Sequence, residues 1–246
     1  MVVQLYGTLG EVFCPPAEAN AASGFWSGPE KDARTHAAID TETGKAKDGL
    51  LFQTVGLDLT LRGVAEPIAL ALRVENQGQW TDALSTLDAL HPMGGERRLA
   101  RWCADTSPDW TCPDTVKRKL AATRHVRMML ATPAYFGGGW RPGWLDQQTL
   151  IGTVPGAATV RLKLVSACTG RWLGHSGWSI EKGRFGEKPI YRLVPAGSVY
   201  FFELHDGNNA HDLANVWLRP VGENPDNDTK LSLDGFGLAL WGVWEE

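Results

Sequence analysis

Apolar and polar residues alternate with a period of two over much of the chain from residue 50 onward, the spacing of half-buried strands. Segments 50–61 and 67–75 show it on either side of the turn-forming residues 62–67, which predicts a hairpin. Further segments predict strands at 96–104, 125–136, 158–168, 190–194, 198–204 and 236–244. The glycine-rich segment 137–145 is predicted to be irregular.

Three segments favour helices. Residues 79–90 place five apolar side chains at helical spacing before Pro92 and Gly94-Gly95 end the pattern: Trp80, Ala83, Leu84, Leu87 and Leu90. Residues 114–122 predict a short helix with Asp114 as its N-cap, and another short helix is expected near 211–216. The β-β-α-β order predicts an α+β fold, with antiparallel sheets and helices on one side.

Length and composition bound the class of protein. The 246 residues are 43% apolar, enough for one large domain or two small ones. No apolar stretch approaches 18 residues, and the first residues do not resemble a secretory signal, so we expect a soluble cytoplasmic protein that does not contact a membrane. Residues 1–50, rich in Gly, Pro and Ala, form a poor beginning for a domain.

Cysteine and histidine spacing indicates neither a metal site nor a cofactor. Cys14, Cys103, Cys112 and Cys168 lie far apart and form no CxxC pair. We interpret them as reduced and mostly buried; a bridge between Cys103 and Cys112 is the minority alternative for a cytosolic protein. Of the six histidines, only His205 and His211 approach metal-ligand spacing, and surface or packing roles are favoured for both.

A formal net charge of −4 excludes a protein that coats nucleic acid without selectivity, so any such binding must be local. Eight basic residues do cluster in one stretch: Arg97, Arg98, Arg101, Lys117, Arg118, Lys119, Arg124 and Arg127. RNA contacts and a solvated helix and strand face are both open interpretations of that stretch.

No nucleophile elbow, zinc-protease motif, phosphate-binding loop or dinucleotide fingerprint is present, so we predict a protein without catalytic residues. The segment Gly94-Gly95-Glu96-Arg97-Arg98 has another kind of chemistry. Paired glycines let a phosphate approach main-chain N–H groups, and the guanidiniums add bidentate donors. The alternative is a helix stop followed by an exposed strand.

Two segments of the second half are further candidates for RNA contact. Gly235 and Gly237, on either side of Phe236, would admit a ribose-phosphate chain, although a tight turn before a strand explains them equally well. Most of the eleven tryptophans are expected to be structural, but Trp172 and Trp178 lie in a turn-rich stretch and are candidates for stacking on bases. That stretch also contains Arg171, Gly177, Lys182, Arg184, Lys188 and Arg192.

Six segments together resemble the third subunit of the Cmr (type III-B) CRISPR effector complex, a member of the RAMP superfamily; they are 34–52, 91–100, 139–145, 171–179, 191–204 and 234–242. The similarity runs in order from about residue 3 to residue 244. It implies tandem ferredoxin-like, RRM-related halves at 1–135 and 136–246. Residues 3–19 resemble a segment that normally follows the family's beginning, so the first half is expected to be shortened and incomplete.

The resemblance implies a non-catalytic role. Such a subunit holds the 5′ handle of the guide RNA at the foot of the complex and contacts the large polymerase-like subunit and a backbone RAMP subunit. It meets target RNA only through the complex. Our hypothesis is that Gly94–Arg98 and Gly235–Gly237 clamp phosphates while Trp178 supports a splayed base. Arg34 and His36 would begin a hairpin that reaches across the RNA.

The residues leave two other functions open. A RAMP endoribonuclease that processes precursor guide RNA would use a histidine such as His36 as general base, but no partner residue is evident in the sequence. A carbohydrate-binding β-domain rests only on the abundance of tryptophan and the strand patterning.

Overall fold

The computed structural model describes residues 30–58, 81–93, 99–104, 110–181, 183–205, 209–226 and 229–245. The chain divides into two compact units, the first ending at Ser107 and the second beginning at Pro108. Within the described ranges, no helix is long and apolar enough to cross a bilayer.

The first unit contains two separate antiparallel pairs of strands, β1 with β2 and β3 with β4. Its elements are β1 (Glu30–Ile39), β2 (Ala46–Asp58), α1 (Thr81–Ser85), β3 (Asp88–Pro92) and β4 (Leu99–Cys103).

The turn between β1 and β2 is built by Asp40. Its Oδ1 accepts hydrogen bonds from the main-chain N–H groups of Glu42 and Thr43, and Gly44 adopts a φ of 67°. These hydrogen bonds lower the pKa of the Asp40 carboxyl; the one from the Thr43 N–H has the largest effect, followed by the one from the Glu42 N–H. The predicted strand at 50–61 is confirmed as far as Asp58, within β2, and its partner is β1. Residues 59–61 and the segment 67–75, predicted to pair with this strand, lie outside the described residues.

The predicted helix over 79–90 is wrong in its second half. Of its described residues, only Thr81–Ser85 are helical, and Asp88–Pro92 forms a strand that pairs with the predicted strand that follows. Arg101 ties this pair together, because its Nε and Nη2 donate to the two carboxylate oxygens of Asp88 at 2.7 and 2.8 Å. Leu90 is 66% exposed, so cross-strand pairing prevailed over the helical spacing.

The second unit is built on a six-stranded antiparallel sheet with the order β14-β15-β5-β13-β8-β7. Its elements are α2 (Asp114–Ala122), β5 (His125–Leu130), β6 (Ala134–Tyr135), β7 (Ile151–Val154), β8 (Ala157–Cys168), β9 (Leu173–His175), β10 (Trp178–Glu181), β11 (Arg184–Glu187), β12 (Tyr191–Val194), β13 (Val199–Leu204), a 3-10 helix (His211–Val216), β14 (Arg219–Pro220) and β15 (Leu238–Val243). A three-stranded sheet, β6-β12-β9, and the pair β10-β11 complete it. The strands predicted in this unit are confirmed with shifted ends, except that the one predicted at 125–136 is divided into β5 and β6, which belong to different sheets.

One face of the six-stranded sheet carries the core. Burial alternates along β5 and β13, so that every second side chain is buried, including the large rings of Tyr200 and Phe202. Both helices described in this unit pack on that face, since Leu120 of α2 and Leu213 of the 3-10 helix belong to the same apolar cluster. Pro113 is the N-cap of α2 and Asp114 its first residue, so the predicted Asp114 cap is wrong.

These observations confirm a sheet-rich α+β fold with antiparallel sheets; the tandem ferredoxin-like halves stay a prediction, as does their boundary after residue 135. Strand β5, on the N-terminal side of that boundary, lies inside the sheet of the second unit.

The prediction of mostly buried cysteines is wrong for the three described. All are free, but only Cys112 is buried, and burial raises the pKa of its thiol, whereas Cys103 and Cys168 are exposed.

Candidate nucleic-acid interface

Six of the predicted RNA-binding residues lie in one antiparallel segment of the second unit, residues 171–193, which we call the arm. β9 pairs with β12, and β10 pairs with β11 further along. Between the two ladders, the Lys188 N–H donates to the Gly177 carbonyl at 2.8 Å and Ser176 Oγ donates to the Lys188 carbonyl at 2.8 Å. The arm carries Arg171, Trp172, Gly177, Trp178, Lys188 and Arg192, all of them exposed.

At the base of the arm, Arg192 and Trp172 form a cation–π pair. The guanidinium carbon lies 4.9 Å from the centroid of the indole ring, and 49% of Trp172 is exposed. Gly174, opposite Arg192 in the ladder, has no side chain between them; a Cβ there would come within 3.6 Å of the indole. The indole therefore keeps an exposed surface while a cation fixes its position.

The tip of the arm carries a second aromatic group. Trp178 meets Phe185 edge to face with ring centroids 5.8 Å apart, and the two are 58% and 76% exposed. Ile180, on the same face of the hairpin, is 83% exposed. The sequence analysis did not identify Phe185. A signal was present, because two alternating four-residue segments on either side of a Lys-Gly pair are typical of a hairpin. Gly183 in this turn has a φ of 90°.

The loop at Gly235–Gly237 lies beside the arm, because the rings of His175 and Phe236 are 4.9 Å apart. Its main chain is largely engaged within the protein. The N–H groups of Phe236 and Gly237 donate to the carbonyls of Leu231 and Pro133 at 3.1 and 2.8 Å. Those two N–H groups therefore already have acceptors, and the predicted phosphate clamp could use them only by breaking these hydrogen bonds.

The two aromatic contacts at the base of the arm lie on opposite faces of the β9-β12 ladder. Successive residues of a strand point to opposite sides, so Arg192 and Tyr191 diverge. Arg192 lies with Trp172 on one side, whereas His175, paired with Tyr191 across the ladder, contacts Phe236 on the other. The structure thus brings Phe236 close to the arm but not onto the face that holds Trp172.

Arg34 and His36 lie on β1 in the first unit, in the hairpin predicted for them. Arg34 pairs with Asp32, Nη2 to Oδ2 at 2.7 Å, and this contact raises the pKa of the guanidinium. His36 Nε2 lies 2.8 Å from the Thr54 hydroxyl, and its ring stacks on Phe52 at 5.2 Å. The segment Gly94–Arg98 lies outside the described residues, as does the side chain of Lys182.

The described part of the basic stretch 97–127 is mostly engaged in local structure. Lys117 bonds Asp114, Arg118 Nε donates to the Asp114 carbonyl, and Arg124 Nη2 donates to the Leu204 carbonyl. Arg101 pairs with Asp88 as described above. No three side chains of His, Cys, Asp or Glu within the described ranges are grouped closely enough to hold a metal ion.

The family model for CRISPR-associated protein (Cas_Cmr3) matches residues 14–244. This chain belongs to the Cmr3 family. No curated protein sequence matches this Cmr3-family chain.

Two solved chains are similar to it over part of their length. A chain of the type III-B Cmr-beta bound to cognate target RNA matches with a TM-score of 0.40 and 15% identity, over 70% of this chain and 44% of that one. A chain of the same assembly bound to cognate target RNA and AMPPnP, state 1, matches with a TM-score of 0.38 and 13% identity, over 71% and 46%. The Cmr3-family chain therefore spans less than half the length of either solved chain.

Proposed function

We propose that this chain is a non-catalytic subunit of a type III-B CRISPR effector complex that holds the 5′ handle of the guide RNA. In this role it contacts a large polymerase-like subunit and a backbone RAMP subunit, and target RNA reaches it only through the complex. Membership of the Cmr3 family supports the setting. The observation that carries the RNA-binding role is the cation–π pair of Arg192 and Trp172 on the exposed face of the arm.

A single-stranded RNA tag offers two kinds of chemistry to a protein, unpaired base faces and backbone phosphates. The arm presents a counterpart to each. The indoles of Trp172 and Trp178 are about half exposed, so a base can stack on either ring. Arg171, Lys188 and Arg192 place three exposed cations on the arm, and cations of this kind suit backbone phosphates.

The phosphate contacts in this proposal come from side chains rather than from the glycine loop. The Phe236 and Gly237 N–H groups already have carbonyl acceptors, so a phosphate would have to break these bonds to use them. The guanidinium of Arg192 needs no such exchange, since its contact in the structure is the face of an aromatic ring. The loop instead supports the arm through the contact of Phe236 with His175.

The test is a titration of the purified full-length chain with RNA of the repeat-derived 5′ handle sequence, at several salt concentrations. Trp172→Ala should weaken binding about 5- to 150-fold, the range for loss of one base stack. Arg192→Ala should weaken binding and lower the slope of log affinity against log salt by about 0.7, as expected for one lost phosphate contact on a single strand.

Trp140→Ala is the matched control, because Trp140 is 50% exposed against 49% for Trp172 and lies in the same unit but outside the arm. This variant should bind handle RNA like the wild type. If Trp172→Ala and Arg192→Ala bound the handle RNA as tightly as Trp140→Ala does, the assignment of the site to the arm would be overturned. Metal-independent cleavage of repeat RNA by the wild-type chain, lost in His36→Ala, would overturn the non-catalytic role.

A further inference from the structure

The six-stranded sheet has a second face, opposite the helices, with a distinct composition. On β5 and β13 the residues between the buried ones are half-buried: His125 and Arg127 on the first strand, Phe201 and Glu203 on the second. In a strand these positions point away from the core face. The face is therefore formed by aromatic, cationic and apolar side chains of neighbouring strands.

An aromatic cluster is fixed in place on this face. The ring of Trp244, just after β15, stacks on His125 with centroids 4.7 Å apart and an interplanar angle of 29°. It meets Phe201 edge to face at 5.7 Å, and its Nε1–H donates to the Phe202 carbonyl at 3.1 Å. All three rings are half-buried, so each keeps some exposed surface while its neighbours fix its orientation.

Cations flank the cluster. Arg127 lies opposite Phe201 on one side and Gly242 on the other, and a Cβ at Gly242 would come within 3.1 Å of the Arg127 Nε. The missing side chain of Gly242 thus leaves room for the guanidinium. Lys163, opposite Glu203 on β8, is exposed. Strands β5, β8, β13 and β15 carry Arg127, Arg161 and Lys163 but a single carboxylate, that of Glu203.

We propose that this face is a second binding surface for single-stranded RNA, separate from the arm, in which Phe201 and Trp244 stack on bases while Arg127 and Lys163 contact phosphates. Partly exposed rings on an antiparallel sheet suit unpaired bases of any sequence, and the excess of cations over carboxylates suits the backbone. That charge balance favours an RNA over an apolar protein surface. The binding needs no handle sequence, so it does not depend on the proposed function.

The test uses the full-length chain carrying Trp172→Ala and Arg192→Ala, so that the arm contributes little, and a fluorescein-labelled oligouridine of about eight nucleotides. Adding Phe201→Leu, which keeps an apolar side chain without a ring, should weaken binding by about 5- to 150-fold. Adding Lys163→Ala should lower the salt slope by about 0.7. Lys119→Ala is the matched control, because Lys119 is also exposed but lies on α2, on the opposite side of the sheet.

Oligouridine binding unchanged by both Phe201→Leu and Lys163→Ala overturns the proposal. So does a Phe201→Leu chain that loses its partner subunits on co-purification but keeps its oligouridine affinity, because the face is then a protein interface. If Phe201→Leu fails to fold by circular dichroism, Lys163→Ala decides the matter alone. Failure here leaves the arm variants' effect on handle RNA intact, so the two proposals fail separately.

Discussion

The guanidinium of Arg192 lies over the indole of Trp172, with its central carbon 4.9 Å from the ring centroid. A pair in this geometry acts as a unit, because the cation fixes the ring and the ring orients the cation. We expect Trp172→Ala and Arg192→Ala to be non-additive in handle RNA affinity, with a coupling free energy of about 0.5–1 kcal/mol. A double-mutant cycle on the dissociation constants measures this, and strictly additive losses would contradict joint action.

The turn segment 137–145 depends on Gly143. A Cβ at this position would lie 1.5 Å from Oε1 of Glu223, whose Oε2 accepts the Gly137 N–H at 2.9 Å. Gly143→Ala must therefore displace the carboxylate and break this bond, at about 1–3 kcal/mol. Thermal denaturation should show a melting temperature lower by about 2–10 °C.

Gly174→Ala is the control for that prediction, since the nearest atoms to its Cβ would be 3.6 and 3.7 Å away, an ordinary contact. Its melting temperature should stay near that of the wild type. In a Glu223→Ala background the Gly143→Ala penalty should shrink, because the clashing carboxylate is gone. An unchanged melting temperature for Gly143→Ala alone would contradict the packing described here.

Gly237 is required by the main chain. Its φ is 75°, and a Cβ would lie 2.9 Å from the backbone nitrogen of Gly222, which cannot move as a side chain can. Gly237→Ala should lose more stability than Gly197→Ala, where φ is 82° but open space surrounds the Cβ position. Both variants carry the left-handed cost of about 1–2 kcal/mol, so the difference in unfolding free energy isolates the close approach. Equal losses of unfolding free energy would show that the Gly222 main chain moves to accommodate the added Cβ.

Tyr200 gives the second unit a stability that falls at high pH. Its ring is buried, its hydroxyl donates to the Trp140 carbonyl at 2.5 Å, and burial raises the pKa of the phenol. In the unfolded chain a tyrosine loses its proton near pH 10. The contribution is thus fully present below about pH 10 and is lost as pH rises further, by up to about 1.4 kcal/mol per pH unit.

Urea denaturation of the wild type and of Tyr200→Phe at about pH 9 and pH 11 measures this effect. The variant should be less stable at the lower pH, because the hydrogen bond is missing, and should lose less stability between the two values. A pH dependence as steep in Tyr200→Phe as in the wild type would assign the loss to other groups.

The strands of the second unit were predictable because alternation and burial agree there. His125–Leu130 and Val199–Leu204 show a strict period of two, and each buries every second side chain. Residues 79–90 failed for the opposite reason: the apolar spacing fits a helix, but the pairing of Asp88–Pro92 with Leu99–Cys103 and the Arg101–Asp88 contact decided the structure. Such long-range pairing leaves no trace in a local window.

The candidate site was predictable in composition but not in geometry. Trp172, Trp178 and Arg192 were identified by residue type, and the structure shows that they share one arm. The contact of Arg192 with Trp172 depends on the β9-β12 register, which could not be predicted from the sequence. The hydrogen bonds of the glycine loop were not predictable either. The Gly237 N–H donates to the carbonyl of Pro133, about 100 positions earlier in the chain, and the Phe236 N–H donates to the carbonyl of Leu231 in a nearby turn.

The measurement that bears most directly on the central claim is photo-crosslinking of guide RNA carrying 4-thiouridine within its 5′ handle, in the effector complex purified with this chain. Mass spectrometry should find crosslinked handle nucleotides on the peptide that contains Trp172 and Trp178. Crosslinks from the handle that fall only on other subunits, with none on residues 171–193, would contradict the account.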